Sequence, residues 1–204
     1  MFAEHNDGCN FSLPPAGRRG PLPWPTMLGG AQVTMGGVAA PIFYVSPGQI
    51  NFQVPCEMPL SGSVAMTVNN RGATSSTQSV TLAPYAPGAF TYARTATSTD
   101  PIIVHVDNSL VTPDKPAKAN EVVVVYATGV GNLSQLPTSG AASPGSPPAT
   151  AVDLPAIPVG GAAVPVQFAG LPPGSIGNIQ LLATLPAASS LPLVVTFPAR
   201  PARP

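Results

Sequence analysis

Charge is scarce in this chain: its 204 residues carry eight Lys or Arg and eight Asp or Glu, a formal net charge of zero. The few cations are scattered rather than clustered, so there is no electrostatic footprint for nucleic acid. Histidine and cysteine number two each, too few to assemble a zinc site of ordinary spacing. No apolar run approaches the about eighteen residues that a membrane span needs. The opening MFAEHNDGCNFS has neither the basic start nor the apolar core of a signal peptide. Amphipathic helices are missing too, because 28 prolines and 20 glycines interrupt every stretch long enough to form one.

What remains is apolar and broken into short pieces. Hydrophobic residues make up 44% of the chain, which argues against disorder driven by charge. Short β-branched and aromatic runs bounded by Pro, Gly, Asn and Ser predict an all-β fold. The clearest of them is GGVAAPIFYVSPGQINFQVP, Gly36 to Pro55. Pro41 to Val45 reads as a strand, and Ser46-Pro47-Gly48 as a turn in which Gly48 is expected to take positive φ. Gln49 to Val54 then alternates, with Ile50, Phe52 and Val54 on one face and Gln49, Asn51 and Gln53 on the other. Pro55 ends the strand. The result is a hairpin with one wet face.

A second copy begins at Gly160. Gly36-Gly37 aligns with Gly160-Gly161, Pro41 with Pro165, Tyr44 with Phe168, and Pro47-Gly48 with Pro173-Gly174. Gln49 and Pro55 align with Gln180 and Pro186, while Asn51 and Gln53 become Leu182 and Thr184. The chain therefore reads as two tandem β-sandwich units of one plan.

Residues 1–20, rich in polar residues, Pro and Gly, are expected to be irregular. The first unit is placed at 21–92 and the second at 101–197, with 93–100 a polar Thr- and Ser-rich linker and 198–204 a tail. Strands are expected at Ala31–Met35, Ser63–Val68, Ser76–Leu82, Ala89–Tyr92, Ile102–Val106, Glu121–Ala127 and Leu193–Phe197. Residues 132–155 form a long Ser-, Pro- and Gly-rich loop. Trp24 is read as capping one end of the first core. The second unit opens with Val122-Val123-Val124-Val125-Tyr126, for which the first has no counterpart before Trp24. The first unit is thus expected to lack its opening strand and to present an open edge, and the chain to be a fragment of a longer protein.

These motifs, with APYAPGAFT, EVVVVYATGVGN and VPVQFAGLPPGSIGNIQ, resemble the C-terminal region found on many large secreted proteins of Acidobacteria, a family with no assigned activity. The likeness covers about residues 21–197 and rests on Ser46-Pro47-Gly48-Gln49-Ile50-Asn51 and the strand end Tyr126-Ala127-Thr128-Gly129. It departs from the family at residues 1–20 and at Gln180-Leu181-Leu182, where the family usually repeats Gln-Ile-Asn. The resemblance implies an immunoglobulin-like pair, an extracellular or cell-surface location and no catalytic residue.

The chemistry-bearing residues point the same way. His105 reads as a strand histidine with one wet side, and His5 lies in the irregular N-terminal segment, so no Ser-His-acid set is expected. Asp107, Asn108 and Asp114 offer oxygens but lack the spacing and glycine of a calcium loop. Gly129-Val130-Gly131 follows a strand, but a Pro- and Ser-rich loop comes next instead of the helix a dinucleotide site needs. No cofactor is expected. Cys9 and Cys56 could pair or stand as two thiols. The best candidate ligand surface is Gln49, Asn51 and Gln53 with Tyr44, where amides could meet sugar hydroxyls, water or a neighbouring domain.

The functional expectation is a non-enzymatic extracellular structural or adhesion module whose partners are other domains of a longer polypeptide or a neighbouring chain. Two alternatives stand beside it. One is a carbohydrate-binding accessory module using the amide stripe with Tyr44 or Tyr92, its partner a polysaccharide. The other is an assembly subunit completed by a strand from another chain.

Overall fold

The computed structural model describes residues 17–155, 157–159 and 162–186. The protein is all-β: no helix occurs among these residues, so none is long and apolar enough to cross a membrane. Eight strands come from the first part of the chain: β1 (Arg18–Arg19), β2 (Ala31–Met35), β3 (Val38–Ala40), β4 (Ile42–Ser46), β5 (Gln49–Phe52), β6 (Gly62–Asn70), β7 (Ala73–Thr74) and β8 (Gln78–Leu82). The middle of the chain adds β9 (Gly88–Ala89), β10 (Thr91–Thr95), β11 (Ser98–Pro101), β12 (Ile103–His105) and β13 (Val122–Thr128). Last come β14 (Ile157–Val159), β15 (Ala162–Val164), β16 (Val166–Gly170) and β17 (Ile179–Thr184).

All strand pairings among the described residues are antiparallel. The first part builds one sheet ordered β1-β4-β5 and another ordered β3-β2-β6-β7, with β8 also on β6. The second builds β12-β13-β17-β16, with β9 also on β13, and the small pair β14-β15; β10 and β11 form a hairpin.

Two cores result. One gathers Val33, Met35, Ala40, Ile42, Phe52, Val54 and Leu82. The other draws on β12, β13, β16 and β17, where Val123, Val125, Leu181 and Ala183 are all buried. Strict alternation drives β2: Ala31, Val33 and Met35 are buried while Gln32 and Thr34 are half-buried. The continuous apolar run of β13 has a different cause, since that strand is central, with β12 and β9 on one side and β17 on the other. Each such Val or Leu contributes about 1.5–3 kcal/mol by leaving water.

The two hairpins share one register. In the first, Ile42 faces Phe52, a bulge follows, and Tyr44 faces Asn51, Val45 faces Ile50 and Ser46 faces Gln49. In the second, Val166 faces Ala183, a bulge follows, and Phe168 faces Leu182, Ala169 faces Leu181 and Gly170 faces Gln180. The lead-in strands agree as well: Val33 opposes Ala40 and Met35 opposes Val38, as Ile157 opposes Val164 and Val159 opposes Ala162. Each of these pairs falls on the alignment read from the sequence.

Several local expectations need correction. Arg18–Arg19, assigned to the irregular segment, pair with Val45 and Tyr44 on β4. Residues 93–100, expected as a linker, lie almost wholly in the β10–β11 hairpin, whose register is Thr91 to Pro101 and Tyr92 to Asp100. Thr is a good strand former, and an Arg94–Asp100 ion pair at 2.5 Å ties the two strands together. Gly88 and Ala89, placed in the first unit, bond to Thr128 and Ala127 of β13. Gly48 closes its two-residue turn without a left-handed φ, whereas Gly36, Gly37 and Gly174 do adopt one, at 54°, 85° and 79°. The β5 strand ends at Phe52, two residues before Val54. Gly160, Gly161, Cys9, residues 1–16 and the expected strand Leu193–Phe197 lie outside the described residues.

Candidate functional site

The four residues proposed as a ligand surface do not share a wet face. Ile42 pairs with Phe52 and faces the first core, and the bulge that follows turns Tyr44 to the opposite side, across from Asn51. That side is covered at Tyr44, which is only 1% exposed, and a Cβ on Gly17 would overlap its ring. Gln49 is exposed and Asn51 half-buried at the hairpin end, and the Gln49 side-chain amide donates to Asn51 Oδ1 at 2.7 Å. Gln53 is buried: its side-chain oxygen accepts the amide of Gly140 at 2.7 Å. The amide stripe is thus split between a surface pair and a buried anchor.

That anchor belongs to a junction between the two parts of the chain. The Ser139 hydroxyl accepts from the Cys56 amide at 2.7 Å and donates to Glu57 Oε2 at 2.6 Å. Gly140 also accepts from the Trp24 amide at 2.9 Å, and Trp24 packs on Phe43 with ring centres 5.1 Å apart. Gly140 has φ of 79°, and a Cβ there would come within 2.8 Å of the Trp24 carbonyl. Only glycine fits so close an approach. Pro55 is fully buried beside this contact, and Met58 donates its amide back to the Pro55 carbonyl at 3.1 Å. Cys56, a free thiol, lies in the same contact with the Gln53 side-chain nitrogen 3.7 Å from its sulfur. Burial pushes this thiol up from its ordinary 9.0, partly offset by the Ser139 hydrogen bond. An open cleft of about 140 Å³ continues the junction, lined by Met58, Leu82, Val130, Leu136 and Ile179 among others.

The titratable residues gather elsewhere, around β12 and the start of β13. His105, expected to have a wet side, is buried. Its Nδ1 meets Glu121 Oε1 at 2.5 Å and its Nε2 meets the Lys115 carbonyl at 3.3 Å. Glu121 also accepts the Lys118 amide at 2.7 Å. The His105 contact, then the Lys118 amide, hold the Glu121 carboxyl below its ordinary value. Asp107 accepts from both the hydroxyl and the amide of Ser109, and from Lys115 Nζ at 3.2 Å, and these bonds hold its carboxyl far below the usual range. The Ser109 hydroxyl therefore points to Asp107 and not to His105. With both ring nitrogens facing acceptors, the imidazole is a structural clamp joining β12, the Lys115 turn and β13.

The expected missing strand and open edge turn on residues outside those described. β17 is bonded on both sides, by β16 and β13, but its counterpart β5 is bonded only to β4 among the described residues.

No family model, curated protein or solved structure matched the chain. What the sequence missed lies in the 132–155 loop, whose Ser139 and Gly140 look like generic loop residues until Gln53, Glu57 and Trp24 are brought against them. The one available signal was an amide directly ahead of Val54-Pro55, at the end of an alternating strand.

Proposed function

We propose that the chain is a non-enzymatic structural or adhesion module of a larger secreted or cell-surface protein, built as two immunoglobulin-like units of one repeated plan. The matching register of the two hairpins, bulge included, supports the repeat most directly. The junction supports the mechanical part: Gln53, Cys56 and Glu57 of one part hold Ser139 and Gly140 of the other through short polar contacts. Two sandwiches fixed in this way set a constant distance between whatever is attached at their ends, which is what a spacer requires. The clamped His105 agrees, because a ring engaged at both nitrogens is poorly placed to take a proton from a substrate. The resemblance to the acidobacterial C-terminal region supplies the extracellular setting.

A carbohydrate-binding module would keep only Gln49 and Asn51 of the four residues first nominated, with Tyr44 covered and Gln53 engaged. Small-angle scattering of the purified chain tests the spacer: one rigid profile is expected, and an ensemble of independently moving halves would overturn it. Protease treatment of intact source cells tests the location, with digestion of the segment expected. Saturable binding to a panel of polysaccharides would favour the carbohydrate reading instead.

A further inference from the structure

We propose that the cleft between the two parts of the chain is a binding site for one small uncharged molecule, a benzene-sized ring bearing a hydroxyl or carbonyl group. The cleft measures about 140 Å³. An apolar cavity of about 150 Å³ holds one benzene, so a single ring is the size of guest this space admits. Such a site would serve a spacer or any other module equally, and it stands apart from the adhesion reading.

The walls are built from chain that has just left a strand. One follows β5 and includes Val54 and Met58; the other starts at Thr128, the last residue of β13, and includes Val130. Pro55, Pro59, Pro84 and Pro137 all line the cleft, and a proline cannot donate the backbone bond that would zip the walls together. No charged side chain is found among the described lining residues. Glu57, the carboxylate within the first wall's sequence, is engaged by the Ser139 hydroxyl at 2.6 Å. An ion entering here would leave water for a surface with no counter-charge, which excludes charged guests. Leu60 and Leu136, both lining, are 54% and 61% exposed. A ring seated between the walls would take some of that apolar surface out of water.

The polar group on the guest follows from the polar side chains of the lining, which among the described residues are Gln53, Cys56, Thr128 and Asn132. Gln53 is committed to Gly140, and its side-chain nitrogen lies 3.7 Å from the Cys56 sulfur. Asn132 is exposed and has water. Thr128 is different: it is only 8% exposed, and its Oγ1 makes no hydrogen bond. Buried hydroxyls are normally paired, so an unpaired one in the lining of a cleft marks where a guest can supply the partner. A threonine hydroxyl both donates and accepts, and either a phenol O–H or a carbonyl oxygen satisfies it. An apolar cleft with one such polar group selects a mostly apolar ligand and fixes its orientation.

The probe is 4-methylphenol, with toluene as the ring lacking the hydroxyl and benzoate as a charged counterpart. NMR titration of the full chain is expected to show saturable shifts at Val54, Thr128 and Val130 with 4-methylphenol at roughly millimolar concentration or below. Toluene should bind roughly threefold to tenfold more weakly for want of the hydrogen bond, and benzoate should not bind. Thr128→Val keeps the side chain's shape and removes the hydroxyl. In that variant the preference for 4-methylphenol over toluene should vanish while the melting temperature holds or rises. Cys56 gives a second reading on the parent chain: saturating 4-methylphenol should slow its alkylation severalfold, followed by mass spectrometry of the Cys56 peptide. That reading decides the matter if Thr128→Val does not fold. Absence of saturable shifts, or benzoate binding as tightly as 4-methylphenol, would overturn the proposal. So would an undiminished preference in Thr128→Val. Shifts confined to Leu60 and Leu136 with no protection of Cys56 would mean contact with the exposed leucines alone and overturn it equally.

Discussion

Gln53 and Gly140 lie 87 positions apart and share one buried hydrogen bond of 2.7 Å from the glycine amide to the glutamine side chain. That bond turns a residue that alternation places on a wet face into the fastener of the 132–155 loop. Replacing Gln53 with Ala would leave the Gly140 amide without its acceptor in a buried site, which costs about 1–3 kcal/mol. The melting temperature is expected to fall by about 2–4 °C for each kcal/mol in a chain of this size. Calorimetry on Gln53→Ala checks this, and an unchanged melting temperature would show that the junction contributes nothing.

The glycines separate backbone conformation from crowding. Gly37 has φ of 85° with open space where a Cβ would sit, so Gly37→Ala should cost only the left-handed conformation, about 1–2 kcal/mol. Gly129 has φ of 71°, and a Cβ there would overlap the Ala86 carbonyl at the β9–β13 crossing. Because that neighbour is backbone, it cannot swing aside. Gly129→Ala is expected to lose at least about 2 kcal/mol more than Gly37→Ala. Urea midpoints of the two variants decide it, and equal losses would mean the Gly129 approach is looser than described.

These two glycines also show where sequence reading succeeds and where it stops. The hairpins, the register and the double glycine at 36–37 were legible because each depends on neighbours a few residues away: a Pro-Gly turn, alternation, a bounded β-branched run. Gln53 was misread because alternation reports which way a side chain leaves its strand, not what lies there. The cover at Gln53 comes from a loop more than eighty positions downstream, and at Tyr44 from Gly17 and a bulge. The 93–100 hairpin was missed because polar Thr and Ser residues hide strand propensity behind a loop-like composition.

Acid should loosen the His105 clamp. The Glu121 carboxyl is held below its ordinary 4.5 when folded, chiefly by His105 and then by the Lys118 amide. As pH falls, the unfolded chain therefore takes up its proton first, and stability is lost from about pH 4.5 downward toward the folded value. Above that range the contribution is complete. Asp107 acts in the same direction, but it is exposed, and the share owed to Lys115 is screened by salt. Urea titrations across the acid range should show a shallower acid arm for Glu121→Gln than for the parent chain, with lower stability at neutral pH. An unchanged acid arm would remove Glu121 from the account.

Cys56 reports on the junction from within. Burial raises its thiol and so lowers the thiolate fraction near pH 8, and the residue is only partly accessible. In a Cys9→Ser background, alkylation of Cys56 is expected to run roughly tenfold or more slower in buffer than in concentrated urea. Adding Gln53→Ala should bring the native rate part of the way toward the unfolded one, because the side chain 3.7 Å from the sulfur and the anchor of Gly140 are the same amide. Calorimetry measures the cost of losing that amide over the whole fold, whereas the alkylation rate measures local opening. A variant that melts lower but labels no faster would place the lost energy outside the junction. A native rate already equal to the rate in urea would mean that Ser139 and Gly140 do not stay seated on the first unit in solution.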